Sequence, residues 1–130
     1  MNFLFLALPF VAFTAACTQL PSASEVPASL EQRATERWAL LIKGDVAGAY
    51  QYLSPATREI LSLESYKGSI KPGLWRSVEI NEVVCTSDVL CSVQLNMHYS
   101  YKPRGASAFD GTRPLSETWK QDGGQWWHIP

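Results

Sequence analysis

From Cys91 to Tyr101 the sequence alternates without a break. Cys91, Val93, Leu95, Met97, Tyr99 and Tyr101 fall at one parity; Ser92, Gln94, Asn96, His98 and Ser100 fall at the other. Strand side chains point to opposite faces with a period of two, so this run predicts a strand with one apolar and one polar face. Upstream, Trp75 to Val84 is β-rich, with Val78, Ile80 and Val84 apolar, and its phase slips near Glu82-Val83, which predicts a bulge or sharp bend. Thr86 to Leu90 turns the chain between the two. Lys102 to Thr112, with Pro103, Gly105 and Gly111, reads as a polar loop. A third strand is expected over Arg113–Lys120, a tight turn at Asp122-Gly123-Gly124, and a last strand over Gln125–Ile129.

The region before these strands has helical spacing. Ser29 followed by Gln32 forms a capping-box pattern, which predicts a helix start at Ser29. Leu30, Ala34, Trp38, Leu41 and Ile42 then share a face, and Gly44 suits the C-terminal stop. Asp45 caps a short helix through Val46, Ala49, Tyr50 and Leu53. Ser54-Pro55 starts another that carries Ile60 and Leu61, and a further helical stretch is expected from about Leu63 to Ile70. Helices first and antiparallel strands after them predict an α+β domain: N-terminal helices packed on a bent antiparallel sheet of about four strands.

The N-terminus carries an address. Phe3 to Ala16 is uncharged and rich in Leu and Phe. It is shorter than the roughly 20 apolar residues that span a bilayer, so it reads as a signal segment. Thr14-Ala15-Ala16-Cys17 resembles the lipobox of bacterial lipoproteins, in which the Cys becomes the lipid-modified first residue of the mature chain. The resemblance implies a signal peptide over 1–16, a lipid-bearing Cys17 opening a flexible tether over 17–28, and a domain over 29–130. It implies attachment to the membrane through lipid on Cys17. Thr18, in place of the Asp that commonly retains lipoproteins at the inner membrane, favours the outer membrane, facing the periplasm. Export to an oxidising compartment favours a disulfide between the remaining Cys85 and Cys91, which face each other across the expected hairpin. Two reduced, buried thiols are the alternative.

Gly44-Asp45, Ala49-Tyr50 and Leu53-Ser54-Pro55-Ala56-Thr57-Arg58, together with Glu117, Trp119 and Gly124-Gln125-Trp126-Trp127, resemble the NTF2-like superfamily over about residues 29–130. The resemblance implies a bent sheet curled around helices as a cone with one open end. Its members include enzymes, transport factors and secretion components, so fold alone does not name a function.

Nothing in the chain matches a nucleophile-elbow, zincin, Walker or C-x-x-C motif. The net charge of −1 offers nucleic acid no general attraction, and neither a metal site nor a cofactor is expected. Glu117 alternates with Leu115 and Trp119, so its carboxyl is expected to point inward. In an apolar pocket it is a candidate general base, with Tyr99 or Tyr101 to polarise a substrate carbonyl; pairing with an Arg or capping of backbone is the alternative. Trp38, Tyr50, Tyr66, Trp75, Trp119 and Trp127 either line a ligand pocket or form core. The polar, uncharged strand face at Gln94, Asn96 and His98 is a candidate interface for a homodimer or an envelope protein partner. The expected function is therefore a non-enzymatic, envelope-anchored interaction or assembly module. A small-ligand binder with an aromatic-lined cone is the second reading, and an isomerase- or dehydratase-like enzyme the third.

Overall fold

A computed structural model describes residues 25–130, with side chains from residue 28; the signal segment, Cys17 and the tether as far as residue 24 lie outside the described residues. Four helices precede four strands: α1 (Glu25–Lys43), α2 (Val46–Tyr50), α3 (Pro55–Ile60), α4 (Leu63–Ser69), β1 (Trp75–Ser87), β2 (Leu90–Tyr101), β3 (Phe109–Asp122) and β4 (Gln125–Ile129). The strands form one antiparallel sheet in the order β1-β2-β3-β4. The fold class is α+β, as the order of periodicities implied.

Each helix boundary has a chemical cause. Gly44, at φ 90°, ends α1: its N–H bonds Leu41 O and the next N–H, on Asp45, bonds Leu40 O, the paired bonds of a Schellman stop. Asp45 then caps α2 by accepting from Gly48 N at 2.8 Å. Ser54 and Ser62 cap α3 and α4 in the same way, through Thr57 N and Ser65 N. The start of α1 differs from expectation. The helix begins at Glu25, so residues 25–28 belong to it rather than to the tether, and Ser29 lies inside the first turns instead of capping them. Pro27 permits this because N–H groups of a first turn have no intrahelical acceptor to lose. Ile60 is 89% exposed, and α3 buries none of its residues.

One face of the sheet meets α1. Leu30, Ala34, Trp38 and Leu41 close on Cys91, Val93, Leu95, Met97, Trp119 and Trp126, all buried. A smaller cluster of Val46, Tyr50, Leu53 and Tyr66 joins α2 to α4. The short β4 is covered on its outer edge: His128 N bonds Tyr52 O at 2.8 Å and Leu53 bridges His128 in parallel. The β1–β2 ladder shifts register between Ile80 and Glu82, next to the predicted slip, and again near Arg76 and Thr86. Bulges of this kind bend a strand and blunt an edge against further pairing.

The β2–β3 ladder is longer than the sequence suggested. It runs from Leu90↔Lys120 to Tyr101↔Phe109, so the expected polar loop ends at 108 and not at 112. Gly111 and Pro114 both argue against a strand in isolation. The ring of Tyr99 lies where a Gly111 side chain would be, and covers its backbone. Pro114 pairs with Asn96 on one side only, since β4 pairs with β3 from Thr118 onward, so its missing N–H costs no ladder bond on the open side. Beyond β4, the β2–β3 pair therefore continues as an overhang.

Cys85 and Cys91 are paired across the β1–β2 turn, with their sulfurs at a bonding distance of 2.00 Å. Replacing the exposed Cys85 by Ser should cost about 2 kcal/mol, the chain-entropy value for so short a loop. The check is the urea midpoint of wild type and Cys85→Ser, each measured with and without reductant. Reductant should lower the midpoint of the wild type alone.

Candidate functional site

Glu117 is the carboxylate that the fold drives inward. It sits on β3 two positions from Trp119, at the parity facing α1, and is 8% exposed. α1 meets it with two consecutive residues. Arg37 Nη1 donates to Glu117 Oε1 at 2.7 Å, and Trp38 Nε1 donates to the same oxygen at 3.0 Å. Trp119 Nε1 donates to Oε2 at 3.2 Å. Arg37 is itself only 4% exposed, and its Nη2 reaches Tyr66 Oη on α4 at 3.2 Å. His128, opposite Trp119 on β4, places Nε2 3.8 Å from Glu117 Oε1 and its ring edge-on to the Trp119 ring. Four elements, α1, α4, β3 and β4, thus converge on one ion pair.

The electrostatics follow from that packing. Burial, helped by the Arg37 cation, pushes the His128 imidazole down to about 3, so it is neutral at physiological pH. The Glu117 carboxylate has Arg37 as its counter-ion and holds three donated hydrogen bonds. Those donors occupy lone pairs a general base would use. Chemically the cluster suits tying helix to sheet better than taking a proton from a substrate. Arg37 Nε, Trp126 Nε1 and His128 Nδ1 are buried without a hydrogen-bond partner among the described residues.

Tyr99 and Tyr101 do not share this site. Val93 is the residue opposite Glu117, and Tyr99 lies six positions further along β2. At about 3.3 Å per residue the separation is roughly 20 Å. The aromatic candidates divide as well. Trp38, Trp119 and Trp75 belong to the main core, with Trp38 and Trp75 edge-to-face at 5.3 Å. Tyr50 and Tyr66 belong to the second cluster, their rings 5.5 Å apart. Trp127 points to the opposite face of β4, bonds Asp122 O through Nε1, and lies under the Arg33 guanidinium. The six do not line one common cavity.

The opposite face of the sheet carries no helix among the described residues. Gln94 Nε2 donates to Ser92 Oγ and Ser116 Oγ, both at 2.9 Å, and the two serines meet at 3.0 Å. His98 Nδ1 lies 2.9 Å from Thr112 Oγ1. Asn96 sits between them, opposite Pro114. Among the described residues, no three His, Cys, Asp or Glu side chains converge in a way that could hold a metal ion, and no helix is long and apolar enough to cross a membrane. Comparison with protein-family models, curated proteins and solved structures returned no match to this chain.

Sequence reasoning offered an Arg partner for Glu117, which the structure supplies, but did not identify it as Arg37 or foresee the two Trp donors. The signal was present: Arg37 occupies the stripe Leu30, Ala34, Arg37, Leu41, whose 4-3-4 spacing is that of a buried helix face. Glu117→Gln should destabilise the protein by about 3–5 kcal/mol, because it strands the Arg37 charge in the core. Urea unfolding measures it, and Arg37→Met/Glu117→Gln should recover part of the loss. His128 adds a pH dependence. Its folded-state value lies far below the unfolded 6.5, so the unfolded chain takes up a proton first. Stability is unaffected by this group above about pH 7 and falls as pH drops from 6.5 toward 3. His128→Gln should flatten that slope in unfolding midpoints recorded across this range.

Proposed function

We propose that this chain is an envelope-anchored, non-enzymatic interaction module, held to the outer membrane by lipid on Cys17 and associating through the open face of an NTF2-like sheet. The observation that carries the reading is the sidedness of the sheet. One face is filled by α1 and the Glu117 cluster. The other is polar, and on it the central strands β2 and β3 carry no acidic or basic side chain inside the ends marked by Asp110 and Lys120, apart from His98. Glu79 and Glu82 flank it on β1. Charge at the rim and none at the centre is the usual distribution of an interface.

The occupant this face suits best is a second copy of the chain. Ser, Thr, Gln and Asn each donate and accept, so such a surface can satisfy its own image. Strands of 12 to 14 residues make up β1 to β3. At about 3.3 Å per residue and 4.8 Å between strands, they present roughly 570–670 Å². That approaches the ~800 Å² each partner buries in a stable complex. Anchoring to one membrane would further concentrate copies.

The experiment is crosslinking of the lipidated protein in intact envelopes with mass spectrometry, beside light scattering of a Cys17→Ser form. The expected result is loss of fatty-acid label and membrane retention in Cys17→Ser, with a dimer that Asn96→Arg/Ser116→Arg converts to monomer at unchanged thermal midpoint. A monomeric wild type without self-crosslinks would sink the association, and label retained by Cys17→Ser would sink the anchor.

A further inference from the structure

The overhang of β2 and β3 leaves part of the inner face without a helix above it. Along β2, Cys91, Val93, Leu95 and Met97 are buried, but Tyr101 is 42% exposed, as is half of Phe109 on β3. The rings there pack on one another: Phe109 lies edge-on to both Tyr99 and Tyr101, at 6.4 and 5.5 Å. Where this overhang meets the start of β1, Leu74, Trp75, Met97, Tyr99 and Arg113 surround an open cleft of about 250 Å³. Trp75 stands opposite Tyr99, and Leu74 O is fixed by Ser100 N at 2.9 Å, so the far wall is held by the ladder itself.

Arg113 is out of character with that wall. It lies opposite Met97, at the inward parity it shares with Leu115 and Glu117. Among the described residues it makes no hydrogen bond and no ion pair, whereas the buried Arg37 is held through its two terminal nitrogens by Glu117 and Tyr66. A guanidinium presented beside Trp, Tyr, Met and Leu is suited to a ligand with an anionic head and an apolar body. The volume lies below the 300–1,000 Å³ of sites for drug-sized molecules, so the ligand is smaller.

We infer that this cleft binds a small carboxylate with an apolar body, its carboxylate forked on Arg113 and its body between Trp75, Met97 and Tyr99. The cleft lies on the inner face, so it is independent of the association proposed for the outer one. Two sources supply this chemistry: a short fatty acid released from lipid and a free aromatic acid.

The test titrates the Cys17→Ser protein by calorimetry with octanoate, 4-phenylbutyrate and the uncharged 4-phenylbutyramide. At least one carboxylate should bind, roughly tenfold or more tightly than the amide, as a charge-assisted pair requires. Arg113→Gln should reduce carboxylate affinity to the level of the amide, with the thermal midpoint unchanged because Arg113 is exposed. Leu74→Trp, which fills the cleft from its exposed rim, should remove binding of both. The tighter of octanoate and phenylbutyrate identifies the source, and either order supports the site. Equal affinity for acid and amide, binding that survives both substitutions, or no heat from either carboxylate at millimolar concentration would overturn it.

Discussion

A carboxylate and a guanidinium buried together set the terms for the rest of this domain. Arg37 and Glu117 are 4% and 8% exposed. Removing two charges from water costs several kcal/mol each, and their attraction offsets this only when the remaining hydrogen-bonding capacity is filled. Most of that capacity is filled by Trp38 from the same helix, Trp119 from the same strand and Tyr66 from α4, with Arg37 Nε left without a partner among the described residues. An apolar core tolerates small slides of one layer over another. This one does not, because a shift of α1 by one residue would carry both donors away from Oε1. The pair therefore fixes the register of helix on sheet, a specification that Leu30, Ala34 and Leu41 alone would leave loose.

How much of this was legible depends on whether the information was local. The caps at Asp45 and Ser54, the stop at Gly44 and the turn at Gly123-Gly124 are decided by residues within a few positions of one another, and each was readable. The alternation over β2 was readable because a single face decides it. The helix start was misplaced because Pro27 looked like a tether residue, although a first turn accepts it. The first four residues of β3, 109–112, were missed because Gly111 reads as a loop residue, although Pro114, also a strand breaker on its own, was read inside the strand. What rescues them, the ring of Tyr99 and an absent neighbour on the open side, belongs to tertiary structure. For the candidate site, the inward carboxylate was legible from parity. Its partners were not, since a lone sequence does not say which buried stripe a strand will face. Arg37 in the apolar stripe of α1 was the overlooked clue.

The sheet divides its faces by chemistry as well as by coverage. On the inner side, cover by α1 ends near Met97, and the ladder runs on into a group of partly exposed aromatics beside Arg113. On the outer side, hydroxyls and amides satisfy one another across β2 and β3 without help from any helix. The main core thus occupies one part of one face, beside the smaller cluster that joins α2 to α4.

The separation of the Arg37–Glu117 pair along the chain, 80 residues, bears on how this protein reaches its native state. The four helices leave the ribosome first, yet the charge on α1 has no counter-ion until the third strand arrives. The edge of β4 also closes on Tyr52 and Leu53, near the middle of the helical region. Contacts this distant in sequence must meet the entropy of closing a long loop before they return any stabilisation. The N-terminal half alone would have to keep a lone guanidinium out of water, which disfavours early burial. A chain built in this way gains its helix-to-sheet contacts only when its last strands are delivered.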